Sequence, residues 1–242
     1  MRINAVIQAR TGSTRLPRKV LADLGGRSVL EWVVRAARAA SQIDTVIVAT
    51  STAAQDDAVA ELAGSLGVAV VRGSEDDVLS RFVAALDAYP ADAVVRLTAD
   101  CPLLDPTLID AAAGLWAAAP TLDYVSTILV RRLPRGMDVE LVAAEALRAV
   151  DRIAVGHDRV HVTSAVYADP TAYRVLGLCV MPAADDLRVT LDYPEDLALL
   201  RALTAELPDA PPSWTEVVAL LRSRPDLVAI NSGVEQKSLE EG

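Results

Sequence analysis

The sequence predicts an α/β fold: a mainly parallel sheet flanked by helices. Three observations predict it. Short apolar runs alternate with longer amphipathic ones over the first 120 residues, the pattern of repeated strand–helix units joined by right-handed crossovers. Hydrophobic residues make up 52% of the chain but aromatics only 4%, so Ala, Val and Leu must build the core, which suits strands buried on both faces. A chain of 242 residues also closes such a core without a disulfide or metal staple.

Taken in order, Ala5 to Ile7, Thr45 to Ala49, Val68 to Val71 and Ala93 to Leu97 read as strands. Between and after them, Ser28 to Ala40, Ala54 to Leu66, Asp76 to Ala88 and Thr107 to Ala118 read as helices. Ser28 followed by Glu31 is a capping-box start, and Asp105 before Pro106 is a second helix-start signal. After Pro120 the rhythm changes. Tyr124 to Ser126 and Val139 to Val142 read as strands, separated by the basic, turn-prone stretch Arg131 to Gly136. Helical patterns follow from Ala144 and from Asp158, then strand-like Tyr173 to Val180 and Leu187 to Leu191, then helices from Pro194 and Trp214. There is no internal repeat, so we expect one domain over 1–230 with a lobe inserted around 120–190, and a frayed polar tail over 231–242.

The formal net charge of −10 argues against nucleic acid or anionic membrane as a partner. Cys101 and Cys179 form no CxxC pair, so neither a disulfide framework nor a zinc ribbon is expected. No signal-peptide pattern precedes the first strand and no apolar run reaches the ~20 residues of a membrane span, so the expected location is cytoplasmic.

On this acidic chain one loop is basic. The first strand runs into Gln8-Ala9-Arg10-Thr11-Gly12-Ser13-Thr14-Arg15-Leu16-Pro17-Arg18-Lys19, which holds four cations and no acid. Ligands of open α/β sheets collect beyond the carboxyl ends of the strands, where this loop lies. Small Gly12, Ser13 and Thr14 permit close backbone approach to phosphate oxygens. Neither the Walker pattern nor G-x-G-x-x-G is present. Asp100, just past the fourth strand, faces the same crevice, and Asp192 ends the Leu187 to Leu191 run. Magnesium beside phosphate needs only one or two carboxylates, which makes this pair candidate ligands. Asp192 also suits an N-cap for the helix from Pro194, and both roles stay open. Asp138 and Glu140 alternate along a strand and so point to one face, either around an acceptor with Arg135 or on a solvated edge. His157 and His161 mimic a zinc-binding pair, but no third ligand is evident.

The loop Gln-Ala-Arg-Thr-Gly-Ser-Thr-Arg-Leu-Pro-x-Lys-Val-Leu closely resembles the opening of the cytidylyltransferases related to CMP-KDO synthetase. Within them it is most similar to the spore coat polysaccharide biosynthesis protein F family. Further blocks recur in order: Arg72 to Leu79, Arg96 to Pro102, Pro134 to Glu140 and Thr190 to Asp196. The resemblance implies a GT-A-like, Rossmann-like fold and transfer of CMP from CTP to an anionic sugar-acid-like or phosphonate acceptor. It implies that Arg10, Gly12, Ser13, Arg15 and Lys19 meet the triphosphate, with Arg10, Lys19 and Asp100 at the reacting groups and Arg72 and Asp77 near the nucleotide. Asp100 and Asp192 would hold Mg2+, and a homodimer would form through the 120–190 lobe. Arg159 and His161 match an Arg-Glu-His-Val-Thr segment of the family and join Arg135, Asp138 and Glu140 as acceptor candidates. Two departures stand out: Arg18 replaces a usual Gly, and Val160 replaces the Glu of that segment.

Overall fold

A computed structural model describes residues 1–234. Its strands are β1 (Ile3–Gln8), β2 (Asp23–Leu24), β3 (Arg27–Ser28), β4 (Thr45–Ser51), β5 (Ala69–Gly73), β6 (Ala93–Thr98), β7 (Tyr124–Ser126), β8 (Glu140–Ala143) and β9 (Val175–Gly177). The helices are α1 (Val29–Ala39), α2 (Asp57–Ser65), α3 (Val78–Ala88), α4 (Pro106–Ala118), α5 (Ala144–Asp151), α6 (His157–His161), α7 (Ser164–Tyr167), α8 (Pro194–Glu206), α9 (Trp214–Ser223) and α10 (Pro225–Ile230). Single 3-10 turns lie at Lys19–Leu21 and Ala54–Asp56.

Seven strands form one sheet in the order β5-β4-β1-β6-β8-β7-β9. β5, β4, β1 and β6 run parallel, β8 is antiparallel to both its neighbours, and β9 runs parallel to β7. Side-chain alternation splits the core between the two faces. Ala5 and Ile7 pack with α1, α2, α4, α8, α9 and α10, whereas Val6 packs with α3 and α5 to α7. No helix among the described residues is long and apolar enough to cross a membrane.

The helix starts obey local chemistry. Ser28 Oγ accepts the Glu31 N–H at 3.0 Å, but the Glu31 carboxylate is taken by Arg27 at 2.6 Å, so only half of the expected capping box forms. Asp105 caps α4 with Pro106 in its first turn, as its sequence suggests. A short hairpin of β2 and β3 went unpredicted; its turn residues Gly25 and Gly26 have φ of 65° and 82°, the backbone hand that two-residue hairpin turns require.

Two expectations change beyond residue 120. Strands 124–126, 140–143 and 175–177 extend the central sheet. Leu187 to Leu191 is extended but joins no strand ladder; it makes an isolated bridge between Arg135 and Arg188, because its N–H and C=O groups serve the 131–136 loop and Asp100 instead. Asn231, expected at the start of a frayed tail, is buried and donates to Asp196 Oδ1 at 2.9 Å, while the rest of that tail from 235 lies outside the described residues.

Candidate active site

The cleft beyond β1 and β6 has a volume of about 360 Å³ and is walled by the basic loop, by Gln8, Thr98, Ala99 and Asp100, and by Asp192. β1 and β6 pair in parallel from Ile3 with Ala93 to Gln8 with Thr98, so their carboxyl ends deliver Gln8 and Asp100 to the same edge. The loop between Ala9 and Arg18 is fastened from below. Asp56 Oδ1 accepts both the N–H and the hydroxyl of Thr11 at 2.7 Å, and its other oxygen is held by the Ser51 hydroxyl. Burial would push the Asp56 carboxyl up, but these donors outweigh it and hold it ionised below its ordinary range. Thr11 C=O accepts the N–H groups of Ser13 and Arg18, at 2.8 and 3.1 Å. The N–H groups of Gly12, Thr14 and Arg15 form no hydrogen bond among the described residues, and all three residues line the cleft. Gly12 has a neighbour to accommodate: a Cβ there would stand 3.0 Å from Glu75 Oε1.

At the centre stands the Lys19 ammonium. It donates to Asp100 Oδ2 at 2.7 Å, to Asp192 Oδ1 at 2.8 Å and to the Leu191 carbonyl at 2.7 Å. Burial alone would depress its pKa, but the two carboxylates raise it above the ordinary lysine value. Reciprocally, burial would raise both aspartates, and Lys19 is the main influence that keeps them low; Asp192 sits at about 2. Arg15 donates to Asp192 Oδ1 at 3.0 Å and lies over the Tyr193 ring at 4.9 Å, which fixes its guanidinium. Asp192 does not cap α8. Asp196 performs that task, accepting the N–H groups of Asp192 and Tyr193 at 2.9 and 3.0 Å, so the Asp192 carboxylate is left for the cleft.

The donor set suits a divalent cation beside phosphate. Two carboxylate oxygens already lie within 2.8 Å of one cationic nitrogen, although no cluster of three or more ligating side chains exists among the described residues. Magnesium completes its shell with phosphate oxygens and water, so two aspartates fit it.

A second cavity of about 460 Å³ opens on the other side of Arg96. Its walls include Arg131, Arg135, Asp138, Glu140, His161 and Tyr167. Asp138 and Glu140 thus face one space, and β8 is no solvated edge, since β6 and β7 flank it. Glu140 is buried and joins Arg96, Thr163 and Tyr124, the last at 2.6 Å. Arg96 also donates at 3.1 Å to Oε1 of Gln8, which lines the first cleft, so one guanidinium links the two cavities. Asp138 pairs with Arg131 at 2.6 Å, yet burial keeps its pKa raised. Val162 adopts φ of 61°, a costly hand for a β-branched residue, between two residues of this wall, His161 and Thr163.

Three sequence expectations are corrected. Arg72 lines neither cavity, because its guanidinium serves the carbonyls of Ser51 and Ala53 and pairs with Asp57. Asp77 caps α3 and is gripped by Arg159 at 2.5 and 2.9 Å, which takes both away from either cavity. Arg18 is exposed and does not line the cleft; its φ of 58° makes it a left-handed backbone position, the conformation that glycine adopts most readily. His157 and His161 stack at 4.0 Å between ring centroids and have no third ligating partner among the described residues. Gln8, Arg96, Thr98, Thr163 and Tyr167 were missed. Arg96 gave a signal, being a lone charge in the apolar run Ala93 to Leu97 that requires a buried partner.

Comparison with known proteins agrees with this fold. The Bacillus subtilis spore coat polysaccharide biosynthesis protein SpsF is 35% identical over 232 residues, covering 91% of this chain and 94% of its own. A cytidylyltransferase structure from Leptospira borgpetersenii superposes with a TM-score of 0.91 at 26% identity, covering 98% of this chain and all of that one. CMP:2-keto-3-deoxy-manno-octonic acid synthetase complexed with CTP shares the fold, at a TM-score of 0.67 and 17% identity over 85% of this chain and 99% of that one. The cytidylyltransferase family model matches residues 4–198. With its parallel sheet, basic loop and facing aspartates on that matched stretch, the chain belongs to the cytidylyltransferase family.

Proposed function

We propose that this enzyme transfers CMP from CTP to a small anionic acceptor, a sugar acid or a phosphonate, with release of pyrophosphate. The observation that carries the reading is Lys19 bound at once to Asp100 and Asp192 within a basic cleft. Arg10, Arg15 and Lys19 supply three positive charges to the triphosphate, and the N–H groups of Gly12, Thr14 and Arg15, which have no partner among the described residues, take its oxygens. Asp100 and Asp192 would hold Mg2+, which supplies Lewis-acid polarisation of the α-phosphate and charge neutralisation. The cavity lined by Arg135, Asp138, Glu140 and His161 receives the acceptor, with Arg135 as the guanidinium for its acidic group. An acceptor oxygen forms the new bond to the α-phosphorus while the bond to the β-phosphate oxygen breaks. Positioning and electrostatics carry the rate.

Asp100→Asn tests the reading. Pyrophosphate release from CTP, measured with a panel of sugar acids and phosphonates, should fall by about 100-fold or more with the fold intact. Near-normal turnover in that variant would remove Asp100 from the chemistry. CTP binding without pyrophosphate release from any acceptor would favour a non-catalytic nucleotide-binding role.

A further inference from the structure

The pair that orients Asp192, Arg188 and Asp196, is itself held by Asn231, which lies beyond the family-matched residues 4–198. Its Oδ2 accepts Arg188 Nη2 at 2.9 Å, which leaves Oδ1 to Lys19 and Arg15 in the cleft. Arg188 is in turn fixed by Asp196, with Nε to Oδ1 and Nη2 to Oδ2 both at 2.9 Å. Asp196 is fully buried and also accepts the N–H groups of Asp192 and Tyr193. The last donor to this hub comes from Asn231: its Nδ2 lies 2.9 Å from Asp196 Oδ1 and 3.3 Å from the Arg188 carbonyl. Asn231 directly follows α10, which is anchored to the core through buried Leu227.

We infer that Arg188 and Asn231 are positioning residues for Asp192, so that the C-terminal helix α10 takes part in setting affinity for the divalent cation. This rests on the proposed role of Asp192 as a metal ligand. A carboxylate that spins freely presents either oxygen to a cation. Pinning Oδ2 commits Oδ1 to the cleft before the cation arrives, and the buried Asp196 keeps the pin from moving. Partners of this kind behind a metal ligand typically change metal affinity by about 10–100-fold.

The test uses the full chain with Arg188→Lys, which keeps the charge but loses the fork, and Asn231→Ala, which leaves Asp196 its other donors. Free Mn2+ is read by electron paramagnetic resonance in the presence of CTP. CTP affinity in EDTA is read by calorimetry, and unfolding midpoints are recorded alongside. Mn2+ affinity should fall about 10–100-fold in Arg188→Lys and by up to about 10-fold in Asn231→Ala, with metal-free CTP affinity changed less than about twofold. Unchanged Mn2+ affinity in folded variants overturns the inference. So does an equal loss of both affinities, or failure of both variants to fold, since each makes the cluster a purely structural one. A wild-type protein that binds no Mn2+ with CTP present would instead refute the proposed function itself.

Discussion

Lys19→Met should move two measurements in opposite directions. In the wild type the ammonium occupies the space between Asp100 and Asp192, with side-chain exposures of only 11%, 27% and 14% for the three groups. A divalent cation that claims both carboxylates without nucleotide must first displace two charged hydrogen bonds, each contributing about 1.5–3 kcal/mol. Lysine recovers part of that through other partners and water, so the net competition should be about 1.4–2.7 kcal/mol, or roughly 10–100-fold in affinity. Removing the ammonium therefore raises Mn2+ affinity in the absence of nucleotide by that factor. The same change lowers kcat/KM for CTP by about 100–1000-fold, because a preorganised charge for the phosphates is lost.

The wild-type competition should persist through neutral pH, because the two carboxylates raise the Lys19 pKa against the effect of burial. Mn2+ titration by electron paramagnetic resonance at pH 7, with and without CTP, measures both limbs. An unchanged or weaker nucleotide-free affinity in Lys19→Met would refute the reasoning, because it would mean that the ammonium does not stand between the carboxylates in solution. When CTP is present, its phosphates give Lys19 and Arg15 alternative partners, so wild type and variant should converge in metal affinity.

Three further outcomes are expected. Arg18→Gly should stabilise the fold by up to about 1 kcal/mol in urea unfolding, since φ of 58° costs an L residue more than glycine and the exposed side chain leaves no cleft contact behind. Gly136→Ala should destabilise by at least about 1–3 kcal/mol, because φ is 99° and a Cβ would stand 2.4 Å from the Thr190 backbone nitrogen, prising the 131–136 loop from the segment that carries Asp192. Despite burial, the Lys19 ammonium holds the Asp192 carboxyl at about 2 against its ordinary 3.8, so its contribution is present above pH 4 and is lost as pH falls towards 2. That amounts to about 2 kcal/mol, and Asp192→Asn should flatten this part of the acid-unfolding profile.

The fold was legible because its signals are local. Alternating runs placed every strand of the parallel half, and Asp105 with Pro106 marked a helix start within a residue. The basic loop was legible for the same reason: one continuous segment supplies Arg10, Arg15 and Lys19 to the cleft. What the sequence hid were competing partners at long range. Arg72, Asp77 and Arg159 have the right chemistry for a ligand site, but backbone carbonyls engage Arg72, and Asp77 and Arg159, 82 residues apart, engage each other. Asp192 was ambiguous between cap and ligand until Asp196, four residues on, took the cap. Neither outcome follows from periodicity or spacing, because each depends on which of several suitable partners the tertiary structure brings within hydrogen-bond reach.

On the proposed reading, one sheet serves two substrates. Along β6, Arg96 and Thr98 are two residues apart and share a face, so the strand walls the proposed acceptor cavity with one and the proposed nucleotide cleft with the other. Arg96 donates to Gln8 on the nucleotide side and pairs with buried Glu140 on the acceptor side. A shift of this guanidinium would therefore be felt in both cavities. Glu140→Gln removes its counter-charge, and loss of one partner from a buried ion pair typically costs about 3–5 kcal/mol. That variant should consequently weaken CTP binding as well as acceptor use, although Glu140 lines only the acceptor cavity. CTP affinity unchanged in folded Glu140→Gln, measured by calorimetry, would mean that the two cavities share a wall but not a coupling.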